Sequence, residues 1–193
     1  FYSKRINDPS LPFNIIYVGR VFKPKGIHLL INAINKLSDE IKENIKVKIV
    51  GQDRGTYTEQ MMEKTKKLGL EELVTFAGMR HDIPDLLSEA DLFVHPAICK
   101  EGFGITLAEA MAAHVPCAAF NLGAIPEVID DQINGFIIDA VNSDVLAAEI
   151  EKAYKLFKYE PEKYALLRSN ARKKAETFSI ENTVAALERL YKD

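Results

Sequence analysis

Two glutamates, Glu101 and Glu109, stand eight positions apart on either side of Gly102-Phe103-Gly104, in the stretch EGFGITLAEAMA. Folding alone asks for neither a carboxylate ahead of a glycine turn nor a second one on a small-residue helix. A carboxylate accepts hydrogen bonds from vicinal hydroxyls, so each suits a sugar or a ribose. The glycines let the backbone turn sharply and approach a ligand closely. A helix starting near Ile105 then points free amides outward, those of Thr106 and Leu107 among them, with the positive end of its dipole, which suits a phosphate. Taken singly, Glu101 is equally a solvent-facing acid, and Glu109 equally a group answering the helix dipole. Flanking one turn together, they point to a ligand. A second constellation, GRVFKPKG, sets Arg20 and Lys25 between Gly19 and Gly26. Two cations there suit a diphosphate, the arginine through its planar fork and the lysine as a point charge. A solvated basic loop is the competing reading. The order is not that of a P-loop, and the glycines of the dinucleotide fingerprint are missing.

These residues need a frame that delivers them to one place. Short apolar runs at 13–19, 45–51, 73–78, 91–96, 116–121 and 135–139 read as strands, several of them ending in Gly or Pro. Between them, Ile27, Leu30, Ile31, Ile34 and Leu37 recur at helical spacing, and 57–69, 83–90 and 104–114 read as helices by the same test. The alternation predicts an α/β fold: a doubly wound, Rossmann-like, parallel sheet of six strands, covered on both faces, with right-handed crossovers. In such a sheet ligands lie beyond the carboxyl ends of the strands, where strand order reverses. The loops at those ends carry Gly19, Arg20, Lys25, Met79, Arg80, Lys100, Glu101, Phe103 and Gly104. Three further helices, at about 143–157, 161–177 and 179–192, form a C-terminal tail longer than six strands require. The last opens on Ser179 with Asn182 three residues on, a capping signature, and bears an apolar stripe of Val184, Leu187, Leu190 and Tyr191. It either covers a sheet edge or docks on a missing partner domain. Residues 1–178 are accordingly read as the domain proper and 179–193 as the docking helix.

The bulk properties exclude several classes. With 193 residues, 47% hydrophobic and 27% charged, the chain suits one full-sized globular domain. No run of about 18 apolar residues is present, and FYSKRINDPS lacks the apolar core of a signal peptide. Without an initiator Met, the chain reads as a piece of a longer protein. Cys99 and Cys117 are too few for a disulfide framework and fit a reducing cytoplasm, each without a triad partner nearby. A net charge of −3 argues against nucleic acid as a partner. Residues 51–149 hold 17 acids against 6 bases, so each cation in that stretch matters.

Together these motifs resemble the C-terminal, donor-binding domain of a retaining glycosyltransferase of the GT-B fold, family 4. The E-x7-E signature is matched by Glu101 and Glu109. Other matches are Gly19, Arg20, Lys25 and Gly26, VTFAG at 74–78, ADLFVHP at 90–96, GAIPEVI at 123–129 and NGF at 134–136, in the family's order over nearly the whole chain. The resemblance implies that Arg20 and Lys25 bind the diphosphate of a nucleotide sugar, UDP- or GDP-linked, and that Glu109 binds its ribose. Glu101, with the backbone of Phe103 and Gly104, would hold hydroxyls of the transferred sugar. The amides of Thr106 and Leu107 would meet a phosphate, the loop around Met79 and Arg80 would flank the base, and Gly19 would join the donor-binding set. Transfer would retain anomeric configuration, to a glycan or lipid-linked acceptor. The implied partner is the family's N-terminal acceptor domain, through which the enzyme would touch the cytoplasmic membrane face, and the fragment alone would be inactive. No cofactor is expected, and no metal, since no Asp-x-Asp or His/Cys set at ligand spacing is present. The competing reading is a stand-alone nucleotide-binding regulatory module. Two departures from the family stand out: Gly51-Gln52-Asp53 lacks the usual second glycine, and His114 replaces a glycine. His95 is read as packed or as touching the sugar, His28 and His81 as helix-start residues, and Asp91 as a structural hydrogen-bonding group.

Overall fold

The computed structural model describes residues 8–52 and 55–191; Asp53, singled out above, lies outside them. Six strands form one parallel sheet: β1 (Phe13–Val18), β2 (Ile45–Val50), β3 (Val74–Gly78), β4 (Leu92–His95), β5 (Cys117–Phe120) and β6 (Gly135–Ile138). Their order is β3-β2-β1-β4-β5-β6, so strand order reverses between β1 and β4. That places the loops after β1 and β4, far apart in sequence, side by side.

The helices are α1 (Ile27–Lys36), α2 (Asp39–Lys42), α3 (Tyr57–Lys67), α4 (Ile83–Ser88), α5 (Ile105–Ala112), α6 (Ile125–Val128), α7 (Ser143–Tyr159), α8 (Pro161–Thr177) and α9 (Ile180–Leu190). One face of the sheet buries Ile15, Tyr17, Val47, Ile49, Val94 and Phe120 against α1, α3 and α7. The other buries Ile16, Val18, Phe93, Cys117 and Ala119 against α4, α5, α6 and α8. The small residues of β5, CAAF, are all buried. The short α2 and α6 span one turn each, too short to leave a period in the sequence.

Helices cover both faces, as expected, but on one of them the cover thins at the amino end of β2. β2 reads IKVKIV, and Lys46 is exposed while Val47 is buried. With Asn14, Lys48, Thr75 and Glu89, Lys46 lines an open groove near the amino ends of the strands, at the far end from the site. The polar alternation in β2 and β3 is what a half-solvated face demands.

The C-terminal helices divide their work. α7 packs on α1 and α8 on α5, and Arg172 of α8 donates to the Ala112 carbonyl at the end of α5 at 2.7 Å. Ser179 caps α9 by accepting from the Asn182 amide at 3.3 Å. Ile180, Val184 and Leu187 of this last helix, and Tyr191 just beyond it, are exposed, while the Leu190 side chain lies outside the described part of the structure. Among the described residues no helix is long and apolar enough to cross a membrane.

Candidate donor-binding site

The loop after β1 leaves Gly19, forms a 3-10 turn at Lys23–Lys25 and enters α1 through Gly26, whose φ is 72°. A Cβ on Gly26 would lie 1.7 Å from the carbonyl oxygen of Pro96, in the loop after β4. The two loops are therefore pressed backbone to backbone, and the Ile98 amide donates to the Pro24 carbonyl at 2.9 Å. This contact brings Lys25 to Glu101, and the two side chains form a partly buried ion pair. Gly26→Ala should accordingly cost about 2–3 kcal/mol of stability in urea denaturation, combining a left-handed φ with a backbone clash. Unchanged stability would mean that the loops can part freely.

Glu101 is braced from the other side. Its carbonyl accepts from the Ala124 amide at 3.1 Å, and it bridges to Gly123 in the loop after β5. Gly123 has a φ of 67°, and a Cβ there would lie 2.3 Å from the Glu101 carbonyl oxygen. Burial raises the Glu101 carboxyl, but the Lys25 hydrogen bond and charge, aided by His95, outweigh it and hold the carboxyl below its ordinary range. His95 Nε2 stands 3.5 Å from Glu101 Oε1 and Cys99 Sγ 3.9 Å from it.

Gly19, Arg20, Lys25, Glu101, Phe103, Gly104 and Thr106, all expected from sequence, line one cleft of about 360 Å³ together with Tyr17 and His95. Met79 and Arg80 line an adjoining cleft of about 780 Å³, which shares Val18, Gly19 and Arg20 with the first. Arg20 is exposed and lies over the ring of Phe22, 4.8 Å from its centroid, while its carbonyl accepts from the Tyr17 hydroxyl at 2.7 Å. Arg80 is engaged with Asp82 through two hydrogen bonds of 2.8 and 2.5 Å, which hold the Asp82 carboxyl down at about 2. Phe103 meets Phe178, at the junction of α8 and α9, edge to face at 5.1 Å, which anchors the Gly-Phe-Gly turn.

Two residues sit differently from expectation. The Leu107 side chain is fully buried, and its amide closes on the Gly104 carbonyl at 2.8 Å, so it is spent inside the helix cap. Gly104, with a φ of 79°, turns the chain so tightly that the third amide bonds back, leaving those of Ile105 and Thr106 as the outward pair. Glu109 is half-buried on α5 and is not among the residues lining either cleft. Burial pushes its carboxyl up.

Tyr17 was not among the residues picked from sequence, Gly123 entered only as the first residue of the GAIPEVI match, and His95 was read as packed or as touching the sugar. His95 carried a signal as a polar residue closing an otherwise apolar strand, whereas the buried Tyr17 carried none. His114, the other departure, has a φ of 62° beyond the end of α5, where its amide bonds the Met111 carbonyl at 2.9 Å. It fills a left-handed helix-end position usually given to glycine, away from the cleft.

The family profile described as "Glycosyl transferases group 1" matches residues 2–174. This chain belongs to the group 1 glycosyl transferase family. It is 30% identical over 180 residues to the N-acetyl-alpha-D-glucosaminyl L-malate synthase of Bacillus anthracis, covering 93% of this chain and 45% of that one. It is 30% identical over 189 residues to the lipopolysaccharide core biosynthesis mannosyltransferase LpsB of Rhizobium meliloti, covering 95% of this chain and 52% of that one. The fold matches the crystal structure of Anabaena HepE in complex with UDP, with a TM-score of 0.83, 29% identity and coverage of 96% of this chain and 50% of HepE. HepE has also been solved with UDP-glucose. The chain of this glycosyltransferase thus spans about half the length of the relatives it matches, and its Rossmann-like sheet is that of a GT-B domain.

Proposed function

We propose that this glycosyltransferase chain binds the nucleoside diphosphate sugar donor, UDP- or GDP-linked, for a transfer that retains anomeric configuration and needs no metal. The acceptor, a glycan or a lipid-linked sugar, is received by a second domain, without which this half transfers nothing. The observation that carries the reading is the meeting of Lys25, Glu101 and the amino end of α5 in one cleft at the switch point of the sheet. Relatives solved with UDP and UDP-glucose support the same class of ligand.

In this reading, bond breaking at the anomeric carbon puts negative charge on the departing diphosphate. Lys25, Arg20 and the Ile105 and Thr106 amides supply a fixed positive field for that charge. Lys25 has three N–H donors, and the bond to Glu101 leaves two for phosphate oxygens. Glu101, held by Lys25, takes sugar hydroxyls and steadies positive charge as it develops on the sugar. Glu109 takes the ribose, consistent with a half-buried carboxylate that has no hydrogen-bond partner among the described residues. Met79, exposed beside the adjoining cleft, flanks the base. A cytoplasmic location, at the membrane face through the second domain, belongs to the same proposal.

A thermal-shift panel tests it. At a hundredfold excess over Kd, a bound donor should stabilise this chain by about 2.7 kcal/mol, which is a shift of several degrees. A shift with UDP or GDP and their sugars, undiminished by chelator, is expected. No shift with any of them would overturn the donor-site reading.

A further inference from the structure

His95 closes β4 and is 4% exposed. Both of its ring nitrogens are buried, and neither has a hydrogen-bond partner among the described residues. The 3.5 Å to Glu101 Oε1 is longer than a well-made N–H···O bond. A buried polar group in that condition weakens a fold, and an apolar side chain of similar shape would serve better. Packing does not ask for an imidazole here. Its neighbour Phe93 lies nearly parallel at 6.3 Å, a contact that any apolar side chain could make. Yet His95 is one of the residues lining the cleft that also holds Lys25, Glu101, Gly104 and Thr106.

Its chemistry narrows what it would meet. Burial pushes the ring's pKa down to about 4, with the Lys25 charge adding to the effect and Glu101 opposing it, so the imidazole is neutral near pH 7. A neutral imidazole offers one N–H donor and one acceptor. Phosphate oxygens only accept, and Lys25 already faces them with full charge. A hydroxyl both donates and accepts, which matches the ring, and Glu101 beside it is a pure acceptor.

We infer that His95 is a donor-contact residue, which hydrogen-bonds a hydroxyl of the transferred sugar and completes with Glu101 a two-sided grip on it. This rests on the donor-site reading above. It explains why the fold tolerates an unsatisfied ring: the missing partner arrives with the substrate, a common exchange of stability for function. It also separates recognition of the sugar from recognition of the nucleotide, since UDP and GDP alone carry no such hydroxyl.

The test is calorimetric titration of this chain with UDP, UDP-glucose, GDP and GDP-mannose, for the wild type, His95→Leu and His95→Gln, together with thermal unfolding of each. His95→Leu should bind the preferred nucleotide sugar about 5- to 10-fold more weakly, the worth of one hydrogen bond, and the matching nucleoside diphosphate within about twofold of wild type. Its Tm should hold or rise. His95→Gln, which keeps a donor and an acceptor, should recover much of the lost affinity. If wild type binds a nucleotide sugar and His95→Leu binds it equally well, or if both ligands weaken alike, the contact is refuted while the donor site stands. A fall in Tm for His95→Leu and His95→Gln with affinities intact would make His95 a packing residue. If wild type binds none of the four, the donor-site reading fails and the contact with it.

Discussion

Lys25→Ala, made in the full-length enzyme, is expected to lower turnover by about 10²–10³-fold, the usual effect of removing one preorganised donor from a developing negative charge. Arg20→Ala should also be strongly impaired. The two cations reach the site differently. Arg20 is exposed and lies over Phe22, whereas Lys25 is partly buried and paired with Glu101. Loss of Lys25 therefore removes a charge from the leaving group and frees the carboxylate it holds. The second effect has its own signature. Lys25 is the main influence holding the Glu101 carboxyl below its ordinary range against burial. Without it, Glu101 takes up a proton at higher pH, so the acid limb of the pH–rate profile should move upward. Lys25→Arg keeps the charge and should retain more activity than alanine, with a smaller shift of that limb. Near-normal turnover in both alanine variants would sink the leaving-group role, whatever the profile does.

Asp91→Ala is expected to cost about 3–5 kcal/mol of stability, a fall in Tm on the order of 10 °C, the penalty for stripping one partner from a buried ion pair. Asp91 enters β4 fully buried. Its Oδ2 accepts from the Asn14 amide at 2.8 Å, and its Oδ1 lies 3.4 Å from Nη1 of Arg168, itself buried on α8. The Tyr164 hydroxyl, also on α8, donates to the Asp91 carbonyl at 2.5 Å. One carboxylate thus ties β1, β4 and the tail helix together at the amino end of the sheet, opposite the cleft. Its removal takes a carboxylate away from the buried Arg168 guanidinium and leaves a strand amide without its acceptor. Asp91→Asn preserves an acceptor for the Asn14 amide and should lose less. Urea denaturation measures both, and a loss under about 1 kcal/mol for alanine would mean that water or a rotated Arg168 makes good the deficit. Because the cluster lies far from the cleft, nucleotide binding by the folded fraction should be unchanged.

The helix α5 illustrates how far local chemistry reaches. Its start after two glycines was legible, because a sharp turn that needs backbone freedom is written in residue type. Which of its amides stay free was not legible. The left-handed Gly104 tightens the first turn until Leu107 bonds back onto it, a matter of a few degrees of backbone. The thin cover over the amino end of β2 is written in the same local way. The lysines at 46 and 48 record a half-solvated stretch of one face within a sheet whose strands are otherwise mainly apolar.

The sequence by itself determined six parallel strands, the order of helices between them, the capped terminal helix, and a set of cations, glycines and acids on the strand-end loops. Those features follow from periodicities and backbone preferences that act over a few residues. Only the tertiary structure decided that β1 and β4 are neighbours, so that Lys25 and Glu101, 76 positions apart, become partners. It also decided that Gly123 braces Glu101 and that His95, beside the cleft, is buried with no hydrogen-bond partner for its ring nitrogens among the described residues. Strand order and burial arise from contacts between segments distant in the chain, and no local pattern encodes them.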